Sequence, residues 1–158
     1  MNAQDVLKYG HFTFLGSVER VPQDRWQETG VCGSWSTQDV VAHLASYEVL
    51  LVEVLAQVAG QNLPTPTLDA LIRDGNAFND IQVEQRRGMD ADAVVAQYKD
   101  AHQGVHHIMA TLKPKQFTSK GILPWYGADY SLDDYLVYAF YGHKREHAAE
   151  LNVFADRL

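Results

Sequence analysis

The chain has 158 residues, 46% of them hydrophobic and 21% charged, which is typical of a globular protein and fits a single domain over residues 1–158. Its 13 basic and 20 acidic residues give a formal net charge of −7 without a dense Lys/Arg cluster, so we expect no nucleic-acid partner. No apolar run approaches the ~20 residues that cross a bilayer, and no basic start leads into an apolar block. Together with the single cysteine, Cys32, this predicts a cytoplasmic protein without a membrane partner or an internal disulfide.

The front of the chain predicts two helices joined by a loop. Apolar residues recur at helical intervals over residues 3–19, and residues 23–33 are expected to form a connecting loop. Ser36 has Asp39 three residues on, which is typical of a capping box at a helix start. The inward stripe of that second helix, which runs to Val58, includes His43.

The middle of the chain contains a short helical insertion and a third long helix. Residues 68–87 are mostly helical, with Gly75 predicting a bend or a division into two pieces. Asp90 caps a further amphipathic helix that extends towards Pro114. Residues 113–130 are expected to form one long non-helical connection, and no strand pattern is evident.

The last predicted helix covers residues 131–154, with Ser131 as its N-cap and two carboxylates in its first turn. His143 and His147 lie in its apolar row. The whole pattern predicts an all-α four-helix bundle with a short extra helical segment between the second and third long helices.

The histidines in these apolar rows indicate a metal site. Burying an unpartnered polar group costs about 1–3 kcal/mol, so a pair of core histidines needs a partner. His143 and His147 are four residues apart, on one helix face and within reach of one ion, and His43 supplies a third inward imidazole. Three neutral imidazoles suit a divalent transition metal and leave coordination positions open, as in catalytic sites.

Two other metal arrangements do not fit. The segment HKREH, residues 143–147, is not H-E-x-x-H, so the metalloprotease arrangement of base and ligands is absent. No Glu-x-x-His pair occurs in the chain, which excludes the usual di-iron bundle.

Two sequence patterns resemble a known superfamily. The segment W-S-x-x-D-x-x-x-H-L, residues 35–44, followed by H-x-x-x-H near the C-terminus, resembles the DinB superfamily of metal-binding four-helix bundles. The stretch Ala77-Phe78-Asn79, then Arg86 and a helix starting near Asp90, resembles its mycothiol-dependent maleylpyruvate isomerase-like branch.

The resemblance implies a zinc or nickel ion held by His43, His143 and His147 in a cytoplasmic protein that is often a homodimer. It also implies a small-molecule substrate and a transferase or isomerase reaction through a low-molecular-weight thiol such as mycothiol or bacillithiol. A metal-dependent hydrolase that uses metal-bound hydroxide is one alternative. A non-catalytic bundle that binds a ligand or partner, with structural histidines, is the other.

Several further residues are candidates for the site. Glu146 lies at the edge of the histidine face. It would act as a base or as a hydrogen-bond partner of a metal ligand, and the alternative is an ordinary solvated or ion-paired helix residue. Trp125, Tyr126 and Tyr130 would line a substrate mouth or close the end of the bundle. By the resemblance, Asn79 and Arg86 would bind a polar part of the substrate, and the alternative is that both are ordinary exposed helix residues.

The remaining histidines and the cysteine are expected to be peripheral. His102, His106 and His107 are predicted at the surface or its boundary, with His102 lining the pocket as the alternative. His11 has no identified partner. Cys32 is expected to be a small packed thiol, because no base lies near it in sequence.

Overall fold

The computed structural model describes residues 2–158 and is an all-α bundle, which confirms the predicted fold class. Its helices are α1 (Ala3–Glu19), α2 (Thr37–Val58), α3 (Pro66–Asp74), α4 (Phe78–Arg86), α5 (Ala91–Met109) and α6 (Pro114–Thr118), then α7 (Leu132–Leu136), a π-helical segment (Val137–Gly142) and α8 (His143–Ala155). The last three follow without a break and are called the final helix. Among the described residues, none of the helices has the length and apolar character that a membrane span needs.

The two helices that carry the predicted metal ligands both begin at capping boxes. Ser36 accepts a hydrogen bond from the Asp39 backbone N–H, and the Asp39 carboxylate accepts one from the Ser36 N–H. Ser131 and Asp134 repeat this pattern at the start of the final helix. Each box satisfies two donors that the first turn would otherwise leave unpaired, so the helix starts predicted from sequence are confirmed.

A short β-hairpin replaces part of the predicted loop over residues 23–33. Strand β1 (Thr29–Cys32) pairs antiparallel with β2 (Trp35–Ser36), with Cys32 opposite Trp35. Gly33 opens the two-residue turn with φ +57°, a backbone conformation that glycine adopts without strain. The expectation of no strands was therefore wrong, although a Gly-Ser turn between two short strands is itself a hairpin signal.

The predicted connections are partly corrected by the structure. Residues 113–130 are not wholly non-helical, because Pro114 begins α6 at a position where its missing N–H costs nothing. The helical insertion consists of two separate helices, which is one of the two alternatives that the sequence predicted at Gly75. A 3-10 turn (Gly75–Ala77) separates α3 from α4, and Gly75 has φ +52°.

A polar layer crosses the middle of the bundle between two hydrophobic clusters. Helix α2 packs along α5, and α1 packs along the final helix. One cluster includes Leu7, Leu51 and Phe140, and the other includes Phe14, Leu44 and Leu151. The side chains between them on the four long helices form the polar layer, which we define as His11, His43, Glu48, His102, His106, His143, Lys144 and His147.

Close approach of two helices shapes this layer. A Cβ atom at Gly10 of α1 would lie 3.3 Å from Tyr141 Cδ2 and 3.5 Å from Lys144 Cδ. Glycine therefore allows α1 to pack directly over the final helix beside Lys144.

Candidate metal centre

Three imidazole nitrogens converge in the polar layer. His43 Nε2 of α2 lies 2.8 Å from His143 Nε2, and His147 Nε2 lies 3.0 Å from the same atom. One ligand atom from each of the three residues lies within 4.8 Å of the other two. The fold thus brings together the three histidines that sequence analysis selected from two separate helices.

A hydrogen bond at the other ring nitrogen fixes how His147 faces the common point. His147 Nδ1 lies 2.7 Å from the Glu150 carboxylate, which can only accept, so Nδ1 carries the hydrogen. In the neutral state, His147 therefore directs the lone pair of its Nε2 at His143 Nε2, which also faces His43 Nε2. A cation at this point would be ligated by imidazole nitrogens from all three residues, so the donor set fits a metal ion.

The protonation state of the site also suits ligation. Burial, then the neighbouring His143 and His147 imidazoles, lowers the pKa of His43 to about 2. Burial and His147 likewise lower the pKa of His143 to about 4. Both are therefore neutral at pH 7, the form that binds a metal.

Aromatic side chains enclose the three histidines. The Tyr47 ring centroid is 4.9 Å from that of His43 and 4.6 Å from that of His143, and the Trp35 centroid is 4.8 Å from that of His43. The Tyr47 hydroxyl donates to Asn79 Oδ1 over 3.2 Å. Asn79, predicted from the resemblance, thus reaches the site through Tyr47.

The β-hairpin brings Cys32 close to His147. Its sulfur and the Glu150 carboxylate lie within 4.8 Å of a ligand atom of His147. Burial and the Glu150 carboxylate raise the pKa of the Cys32 thiol to about 11, so it is protonated at neutral pH and a poor nucleophile. Glu150 is far from Cys32 in the sequence, so the sequence alone did not identify it as a neighbour of this thiol.

Glu146 is exposed on α8, and the carboxylate that contacts His147 is Glu150. Sequence analysis missed Glu150. Its position three residues after His147 on a helix was the available signal.

The predicted substrate loop connects to the site through aromatic contacts. Tyr130, at the end of this loop, is 45% exposed and packs on Tyr126. The remaining contacts form a row towards the histidines: Trp125 and Tyr126 contact Tyr135, Tyr135 contacts Phe140, and Phe140 contacts Tyr47.

Arg86 is buried, and its guanidinium donates to Gln82 and to Gln97. The bond to Gln97 joins α4 to α5.

A second buried group corrects the prediction for His102. It is 5% exposed, not at the surface, and its Nδ1 lies 2.8 Å from Glu48 Oε2. Lys144 Nζ lies 2.5 Å from Glu48 Oε1. Burial alone would raise the pKa of Glu48, but Lys144 and His102 outweigh it and lower the value to about 2. Glu48 is therefore an ionised carboxylate inside the bundle.

His11 and His106 complete this second group. The His11 ring stacks on His102 with centroids 3.9 Å apart, and its Nδ1 lies 3.2 Å from the Tyr98 hydroxyl. His11 thus has the partners that sequence analysis did not identify. His106 is partly buried and His107 exposed, as expected for boundary and surface positions.

Comparison with known families places the chain among related sequences. A family model described as the mycothiol maleylpyruvate isomerase N-terminal domain matches residues 11–129. This range includes His43, Asn79 and Arg86 and ends before the final helix. Searches of curated proteins and of solved structures returned no match.

Proposed function

Because the chain belongs to the mycothiol maleylpyruvate isomerase N-terminal domain family, within the DinB-like superfamily, we propose that it is a metal-dependent enzyme that transfers or isomerises through a low-molecular-weight thiol. His43, His143 and His147 would hold one divalent ion, with zinc or nickel as the occupant. The observation that carries this proposal is the convergence of three imidazole nitrogens, with His143 Nε2 lying 2.8 Å from His43 Nε2 and 3.0 Å from His147 Nε2.

In the proposed reaction, the protein's own side chains would orient the metal ligands and exclude water. When bound, the ion would supply a Lewis acid that lowers the pKa of a thiol and holds it as thiolate. Glu150 keeps His147 in the tautomer that presents Nε2. The Tyr47 and Trp35 rings cover the imidazoles and limit access of bulk water.

Tyr47, which contacts His43 and His143, would form the inner end of the small-molecule substrate site, and Trp125, Tyr126 and Tyr130 would line its outer mouth. The buried rings of Tyr135 and Phe140 pack between these two parts. Asn79 would orient the Tyr47 hydroxyl at the inner end. A cytoplasmic location suits this chemistry, because low-molecular-weight thiols are kept reduced there.

Metal content is the first test. Protein purified without a histidine tag and dialysed against zinc or nickel should bind an ion that a His143→Ala/His147→Ala variant does not bind at that site, because two of three ligands are lost. Circular dichroism checks that the variant is folded. Wild-type protein that binds no ion would reject this proposal and favour a non-catalytic bundle.

Thiol dependence is the second test on the same metal-loaded protein. Incubation with mycothiol, bacillithiol or glutathione plus a generic electrophile should consume thiol faster than the metal-free control. Ester or amide cleavage that needs metal but no thiol would contradict the thiol mechanism and favour a hydrolase.

A homodimer is the final part of the proposal. Tyr9 and Phe12 of α1 are 68% and 64% exposed, and Tyr138 of the final helix is 62% exposed. Because α1 packs along the final helix, these side chains lie on neighbouring elements and suit a shared contact. Light scattering should give twice the mass of one chain, and a monomer at all concentrations would exclude the dimer.

A further inference from the structure

The polar layer contains a second histidine pair built like the first. His102 and His106 are four residues apart on α5, and their Nε2 atoms lie 3.1 Å apart with ring centroids separated by 4.6 Å. The corresponding values for His143 and His147 are 3.0 Å and 4.8 Å. Both pairs therefore direct two imidazole nitrogens of one helix face at a single point.

The carboxylate behind the pair is also repeated. Glu48 accepts from His102 Nδ1 as Glu150 accepts from His147 Nδ1. Because Glu48 is ionised and Nδ1 carries the hydrogen, a neutral His102 presents an Nε2 lone pair to His106. A carboxylate on the far nitrogen is the arrangement that fixes the tautomer of metal-ligating histidines and raises their basicity.

Charge balance and access at the pair also allow an ion to bind. The positive charge of Lys144 is paired with Glu48, whose other oxygen contacts His102. His106 is partly exposed, so this side of the pair faces solvent, from which an ion would enter.

We infer that His102 and His106 form a second binding site for a divalent transition metal ion, completed by water and separate from the three-histidine centre. His11 stacks face to face on His102, so its ring nitrogens are not directed at the same point. With two protein ligands instead of three, the second ion should be released at lower chelator concentration than the first. The inference does not depend on the proposed thiol chemistry.

Zinc stoichiometry tests the site, measured by elemental analysis after dialysis of tag-free protein against a series of zinc concentrations. We expect two ions per chain in wild type, one in His106→Ala, and two in the matched control His107→Ala, which changes the adjacent exposed histidine. His106→Ala places a strong helix former at a partly exposed position, so the variant should fold.

Failure of this site and failure of the first site give different results. If the three-histidine centre binds no ion, wild type should bind one, which is lost in His106→Ala and kept in His143→Ala/His147→Ala. If His106→Ala retains the wild-type stoichiometry, the contact between His102 and His106 is an ordinary neutral hydrogen bond and the inference is overturned.

Discussion

Glu150 shows how a single carboxylate determines what a histidine can do. It accepts a hydrogen bond from His147 Nδ1, which fixes a tautomer, and together with burial it raises the pKa of the neighbouring Cys32 thiol. Glu146, one residue before His147, is exposed and has a different environment. The helical period therefore separates a residue that acts on the centre from one that only borders it in sequence.

A matched pair of substitutions tests this difference. Glu150→Gln should weaken metal binding by about 10- to 100-fold, because a neutral amide is a poorer partner for the His147 N–H. Glu146→Gln removes the same charge from the same helix and should leave affinity nearly unchanged. Competition with a chromophoric chelator measures both, and equal losses in the two variants would assign the effect to net charge alone.

Helices α2 and α8 are joined inside the bundle by the Glu48–Lys144 ion pair. Both side chains are essentially inaccessible, and each is adjacent in sequence to a residue of the candidate metal centre: Glu48 follows Tyr47, and Lys144 follows His143. The pair therefore couples the register of the two helices to the spacing of the histidines. A buried pair of this kind is costly to break and adds little net stability.

Removing one charge of this pair should lower the free energy of unfolding much more than removing both charges. Lys144→Met should lower the free energy of unfolding by about 3–5 kcal/mol, because it leaves Glu48 with one partner fewer in the core. Adding Glu48→Gln should recover much of that loss, since the amide oxygen still accepts from His102.

Urea denaturation measures these free energies, and Arg87→Ala provides the control. Arg87 pairs with Glu84, but the two side chains are 61% and 69% exposed, so the change should cost less than about 1 kcal/mol. A Lys144→Met variant as stable as this control would show that the buried pair is not an important constraint.

The whole molecule carries its polar groups in one layer between two hydrophobic clusters. His43 and His143 of this layer are neutral at pH 7, and Glu48 is paired with Lys144. The free energy of unfolding therefore depends on pH. In metal-free protein the folded-state pKa values of His43 and His143, about 2 and about 4, lie below the ordinary histidine value of 6.5. The unfolded chain therefore binds more protons between these values, and stability falls as pH is lowered below 6.5.

We expect the free energy of unfolding of metal-free protein to decrease from pH 6.5 to pH 5 by up to about 1.4 kcal/mol per pH unit for His43, which is 1% exposed. Denaturation in the presence of a chelator at several pH values gives the slope. His43→Gln removes one titrating group and should flatten it, whereas His107→Ala should not. An unchanged slope in His43→Gln would contradict a neutral, buried His43.

The local features of this fold could be predicted from the sequence because each depends on neighbours within a few residues. The caps at Ser36 and Ser131, the division at Gly75 and the His143/His147 spacing are of this kind. The contacts among Cys32, His147 and Glu150, and those between His102 and Glu48, depend on how β1, α2, α5 and α8 pack. The sequence by itself therefore determined the long helices and three candidate ligands. Only the tertiary structure decided which carboxylates reach the histidines and that His102 is buried, because hydrophobic packing and buried charge pairing act between residues far apart in the chain.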